Sequence, residues 1–130
     1  MQMIALEIGA CKQGWRPSKM ELAERALVPS KGKDRPLSGD ALNKLYEQLG
    51  NGWQVIDGHH LKKRYKFDDF ALALAFTNKV GELAERVNHH PEICLSWGYT
   101  EMTIWTHSIG GLHEADFVFA ARADELALSV

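Results

Sequence analysis

Leu72, Phe76, Val80, Leu83 and Val87 recur at intervals of four, four, three and four residues, the strongest periodic signal in the chain. An α-helix turns once in 3.6 residues, so this spacing sets all five on one face and predicts a long core-facing helix. Asp68 or Asp69 can cap its start, and Ala73 and Ala84 permit close packing beside the stripe. Gly81 in mid-helix costs about 1 kcal/mol relative to alanine, which predicts a close neighbour there. Pro91 lacks the backbone N–H needed to continue, so the helix ends near Val87. A shorter amphipathic helix follows Ser38, with Leu42, Leu45, Tyr46 and Leu49 as its apolar positions and Gly50-Asn51-Gly52 as its stop.

Elsewhere the period drops to two. Trp53–Ile56 and Leu61–Phe67 flank Asp57-Gly58, a turn signal for a hairpin. The second arm sets Leu61, Lys63, Tyr65 and Phe67 against Lys62, Arg64 and Lys66, so its basic face is expected to meet water or an anionic ligand. His59-His60 falls at the hairpin tip and reads as a solvated turn. After Pro91, Ile93–Trp97 predicts a short strand and Gly98 a turn. Thr100–Ile109 predicts another strand, with Met102, Ile104 and Thr106 on one face and Thr103, Trp105 and His107 on the other. His113-Glu114-Ala115-Asp116 opens a last helix, continued by Phe117, Ala120, Ala121, Ala123 and Leu126.

The order helix, two strands, helix, two strands, helix predicts an α+β fold: a four-stranded antiparallel sheet with helices packed on one face. Its open face would carry Trp105, as a ligand cleft or a subunit contact. Residues 37–130 read as a single domain, and 1–36 as an N-terminal extension of unclear role. Within the extension, Trp15-Arg16-Pro17 is a break and Ser18–Leu27 a short helix with Ser18 as cap. Pro29–Pro36 reads as a solvated connector, because its prolines and charges offer no buried face. Lys31-Gly32-Lys33 lacks the glycine spacing of a phosphate loop.

The 130 residues, 45% hydrophobic and 25% charged, suit one globular domain. A formal charge of −2 gives no reason to expect nucleic acid or an anionic membrane as partner. Cys11 and Cys94, far apart and without C-x-x-C spacing, read as reduced thiols in the cytoplasm. Met1–Glu7 has neither the basic leader nor the apolar core of a secretory signal, and no stretch approaches a membrane span.

Histidine carries the candidate chemistry. Imidazole titrates closest to neutrality among the side chains, at roughly 6.5, so it suits proton transfer or metal binding. His89 and His90 stand where the long helix stops, and His107 closes the last strand on the face of Trp105. Glu85 lies one turn before His89. Asp116 falls in the first turn of the last helix, where a carboxylate also serves simply to stabilise the helix dipole. From spacing alone, a shared site and unrelated surface histidines both remain open.

The run Glu85-Arg86-Val87-Asn88-His89-His90-Pro91, then Thr106-His107, then Gly111-Leu112-His113-Glu114-Ala115-Asp116, resembles the pterin-4a-carbinolamine dehydratase family. Phe67-Asp68-Asp69-Phe70, Ala75-Phe76, Val80 and Gly52-Trp53 extend the resemblance over about Leu37 to Leu126. The chain departs from it at Ile93, where members often have an aromatic residue, and at Trp97, where some have tyrosine. The resemblance implies dehydration of a 4a-hydroxytetrahydropterin to the quinonoid dihydropterin, restoring the cofactor spent by aromatic amino-acid hydroxylases. It implies no metal and no further cofactor. His89, His90 and His107 would form the acid–base set, and Asp116 would fix a tautomer or contact a ring amine. Glu85, Pro91 and Trp97 are further candidates for substrate contact. A homodimer or homotetramer is expected.

Two rival readings stay on the table. The three histidines could hold zinc with one open position. Alternatively, the chain could be a non-enzymatic dimerisation or interaction module, since proteins resembling this family also act as a transcription factor's dimerisation partner.

Overall fold

A computed structural model describes residues 18–130. Cys11, the expected break at Trp15–Pro17 and the Met1–Glu7 stretch lie outside the described residues. The elements are α1 (Ser18–Glu24), α2 (Gly39–Leu49), β1 (Gln54–Ile56), β2 (His60–Lys66), α3 (Phe70–Val87), β3 (Glu92–Ser96), β4 (Tyr99–Ile104) and α4 (Glu114–Ala127), with a 3-10 turn at His107–Ile109. The fold is α+β. Its four strands form one antiparallel sheet in the order β1-β2-β4-β3, so the two hairpins join through β2 and β4.

Strand alternation decides which residues enter the core. Leu61 and Tyr65 on β2 and Thr100, Met102 and Ile104 on β4 are buried beneath the helices. On the other face Glu101 answers the basic residues across the strand pair: Arg64 Nε lies 3.2 Å and Lys62 Nζ 3.8 Å from its carboxylate. The face expected to be solely basic is therefore partly neutralised by its neighbour on β4, which the β2 sequence alone does not display.

The stripe on α3 packs as its period predicts, with Phe76, Val80 and Leu83 buried and Leu72 and Val87 partly so. Asp69 caps the helix by accepting from Leu72 N at 2.9 Å. Gly81 departs from expectation: a Cβ there would meet nothing within 4 Å, so no close neighbour explains the glycine. Ser38 occupies the N-cap position of α2, yet its side chain makes no capping hydrogen bond. β4 stops at Ile104, five residues short of the expected end, because Thr106 bridges to Gly111 and His107 begins the 3-10 turn.

Helix α4 is buried almost all round, from Ala115 to Ala121, and its alanines let α1, α2 and α3 approach. Leu22 and Ala23 of α1 belong to this same core. Arg122 on α4 also reaches α1, donating to the carbonyls of Ala23 (3.1 Å) and Arg25 (2.7 Å) just where α1 ends. The helix stops at Glu24, three residues before the expected Leu27, and these donations satisfy carbonyls that the helix end leaves open.

A polar cluster crosses the core where α4 meets the sheet. The Asp124 carboxylate, almost fully buried, accepts from Tyr65 Oη (2.6 Å), Lys63 Nζ (2.8 Å) and Trp53 Nε1 (3.2 Å). Burial, then the charge of Asp124, then its hydrogen bond push the Tyr65 phenol far above the ordinary tyrosine range, so it stays a neutral donor.

Candidate active site

The site begins where α3 unwinds. Asn88 enters the left-handed region (φ 54°, ψ 47°), which asparagine tolerates better than most residues. That turn separates the two histidines that follow. His89 is 8% exposed and its Nε2 lies 2.6 Å from Asp116 Oδ1. His90 is exposed, and its Nε2 lies 2.6 Å from Glu85 Oε2 on the last turn of α3.

Asp116 is wholly buried and fully engaged. Its Oδ2 accepts from Thr106 Oγ1 and from the backbone N–H of His113, each at 2.9 Å. The second of these belongs to a capping box, because His113 is the N-cap of α4 and its Nδ1 accepts from Ala115 N at 3.1 Å. One carboxylate thus both starts a helix and holds a histidine. With a carboxylate on Nε2, His89 is fixed with its proton there, which leaves Nδ1 as its free lone pair. Phe119 packs edge-on to the ring, 6.0 Å between centroids.

His107 comes from the opposite end of the chain segment, on the 3-10 turn after β4. It is exposed, and its ring lies over Trp105 at 4.3 Å between centroids. His89, His90, Trp105, Thr106 and His107 all line one open recess of about 300 Å³. Its remaining wall includes Pro29 and Ser30, from the segment expected to be a solvated connector. A larger depression of about 450 Å³ lies by Lys62, Lys63 and Arg64, but His60 is the only histidine there.

The other sequence candidates are placed differently. Asp116 sits beneath the recess and reaches it through His89. Glu85, 80% exposed at its side chain, touches His90 and does not line the recess. Pro91 follows the Asn88 cap of α3 and does not line the recess. Trp97, 68% exposed, occupies the tip of the β3–β4 hairpin, at the far end of the strands from the histidines. His59 and His60 correct the expectation of a solvated turn. Both are half-buried against Trp105, at 5.3 and 5.8 Å between ring centroids, and their Nδ1 atoms lie 3.1 Å apart. The cause is the β2–β4 pairing: Leu61 stands opposite Ile104, which brings the start of β2 beside Trp105.

Among the described residues no group of three or more His, Cys, Asp or Glu side chains is arranged to hold a metal ion. His89 and His90 diverge after Asn88, each onto its own carboxylate, which is the physical reason they do not converge on one ion.

The pterin 4 alpha carbinolamine dehydratase family matches residues 35–126, a span that contains the histidine pair, Thr106-His107 and Asp116. The chain belongs to that family. A relative from Rubrobacter xylanophilus, provisionally named a pterin-4-alpha-carbinolamine dehydratase, is 55% identical over 106 residues, covering 82% of this chain and 98% of its own. One from Alkaliphilus metalliredigens with the same provisional name is 46% identical over 104 residues, 80% of this chain and 94% of that one. Among solved structures, a transcriptional coactivator/pterin dehydratase from Brucella melitensis superposes with a TM-score of 0.67 at 31% identity, covering 72% of this chain and 99% of that one. A pterin dehydratase-like protein identified as a RuBisCO assembly factor in the alpha-carboxysome gives 0.52 at 30% identity, over 61% and 93% of the two chains. Within this dehydratase-family fold, Thr106 and the N-cap His113 are partners of Asp116 that sequence reasoning did not single out. The capping-box spacing from His113 to Asp116 was a usable signal for the second; nothing local marks Pro29 or Ser30 as a wall.

Proposed function

We propose that the chain is a carbon–oxygen lyase that dehydrates 4a-hydroxytetrahydropterin to the quinonoid dihydropterin in tetrahydropterin recycling. The observation that carries this reading is the His89–Asp116–Thr106 hydrogen-bonded set at the base of a recess that His107 and His90 also line. Dehydration breaks the bond from carbon 4a to its hydroxyl and removes the proton from N5, forming the C4a=N5 double bond and one water. It needs a proton donor at the leaving oxygen and an acceptor at the ring nitrogen, each worth typically 10²–10⁴-fold. His89, with its proton held on Nε2, offers Nδ1 as the acceptor. His107, open to solvent, is the donor that protonates the departing hydroxyl. His90, paired with Glu85, orients the ring, and Asp116 positions His89.

The test is direct. The decay of a freshly generated 4a-hydroxytetrahydropterin is followed by ultraviolet absorbance with and without the protein near neutral pH. Acceleration that disappears in His89→Ala supports the reading, whereas a decay unchanged by wild-type protein removes it.

A second reading, a binding role toward another protein, is favoured by the descriptions of the two structural relatives as a coactivator and an assembly factor. The same assay separates them, since a binding module leaves the decay rate untouched. No described helix is long and apolar enough to cross a membrane; the proposed setting is the cytoplasm. A homodimer or homotetramer is expected from the uncovered edge of β3 and the exposed aromatic at Trp97, and sedimentation as a monomer at micromolar concentration would count against it.

A further inference from the structure

The segment Pro29–Leu37 has the composition of a free connector, yet it is fastened along the loop that carries His107. Gly32 lies against Ser108, where a Cβ would come to 3.7 Å of the serine's own Cβ. Pro36 covers Gly111 so closely that a Cβ on that glycine would sit 2.7 Å from the proline ring. Leu37 N donates to Leu112 O at 2.8 Å. At the other end Asp34 Oδ2 accepts from Ser30 Oγ (2.8 Å) and stands 3.3 Å from His113 Nε2. Because His113 Nδ1 accepts from Ala115 N, the imidazole carries its proton on Nε2, the nitrogen nearest Asp34. These contacts hold Ser30 in the wall of the histidine recess.

Ser30 has spare hydrogen-bonding capacity. Its hydroxyl donates to Asp34 and accepts from Gly32 N at 3.1 Å, which uses its proton and one lone pair. One lone pair is left for a substrate N–H or O–H. In a pterin, carbon 6 is bonded to N5, so a substituent at carbon 6 lies next to the bond at which the histidines would act. A wall residue beside those histidines is therefore within reach of that substituent.

We infer that Ser30, positioned by Asp34, discriminates among pterin carbinolamines by accepting a hydrogen bond from a hydroxylated substituent at carbon 6. This rests on the dehydratase reading and adds to it a substrate preference set by two residues, Ser30 and Asp34, that lie ahead of the family-matched residues.

The experiment compares two carbinolamines, one with a dihydroxypropyl group at carbon 6 and one with a methyl group, on the full chain. Ser30→Ala should raise KM for the hydroxylated substrate about three- to tenfold, the worth of one neutral hydrogen bond, with kcat unchanged. The methyl substrate should not respond. Ser30→Thr, which keeps a hydroxyl, should restore the preference, and Asp34→Ala should reproduce the selective KM loss. Equal effects on both substrates, no effect on either, or a change in kcat alone would overturn the inference while leaving the dehydratase reading standing. If wild-type protein accelerates neither substrate, the dehydratase reading fails and the inference falls with it.

Discussion

His89 Nε2 and Asp116 Oδ1 stand 2.6 Å apart, although one residue follows the end of α3 and the other lies in the first turn of α4. The carboxylate that aligns the imidazole also closes the capping box of α4, so site geometry and helix start share a single group. Asp116→Asn keeps the size of the side chain but replaces one accepting oxygen by an amide. Turnover should fall by about 10²-fold or more. Stability should drop by about 1–3 kcal/mol, because a buried donor loses its partner. Steady-state kinetics beside a urea melt measure both, and an unchanged rate would contradict the role given to Asp116.

His107→Ala should lower turnover by about two orders of magnitude with the fold intact, since the side chain is exposed and makes its contact with Trp105. His59 is not an inert position, because its ring packs on the same Trp105. His59→Ala should cost about 0.5–1 kcal/mol of stability and only a few-fold in rate. Equal rate losses in the two variants would show that packing around Trp105, rather than proton transfer at His107, governs turnover.

Asp124 offers the opposite case, a buried carboxylate away from the recess. Asp124→Ala strands Lys63, Tyr65 and the Trp53 indole without their common acceptor. A loss of about 3 kcal/mol is expected, with kcat unchanged in whatever fraction stays folded. Chemical denaturation and active-fraction kinetics check the two halves separately.

Tyr65 predicts an alkaline limit. Its folded pKa is raised above the unfolded value of roughly 10, so the folded state keeps a proton that the unfolded state gives up. The resulting stability is fully present below about pH 10 and is lost as pH rises through and beyond that value. The melting temperature of wild type should fall more steeply between about pH 9.5 and 11.5 than that of Tyr65→Phe. Parallel slopes would mean that Tyr65 ionises as readily folded as unfolded.

Gly81→Ala is expected to stabilise the protein. Beyond the backbone of its own helix and its two chain neighbours, nothing lies within 4 Å of the added methyl, and the helix gains about 0.5–1 kcal/mol of propensity. A lower midpoint in urea would reveal a neighbour that the free chain lacks, such as a second copy packed on α3.

The features legible in the sequence were those decided by near neighbours. The period of Leu72 to Val87, the stop at Pro91 and the alternation from Met102 to His107 follow from bond geometry over a few residues, and they place His89, His90 and His107 at the ends of elements. The family resemblance further grouped those histidines with Asp116. Only the tertiary structure decided which surfaces meet. The β2–β4 pairing drew His59 and His60 off a solvated turn onto Trp105. The left-handed Asn88 sent His89 and His90 to different carboxylates. Pro29 and Ser30 became a wall of the recess although their composition speaks only of solvent. The physical reason shows in His59–Trp105 and His89–Asp116: a ring contact or hydrogen bond between residues tens of positions apart depends on how two separately folded elements dock, and local periodicity carries no record of the docking.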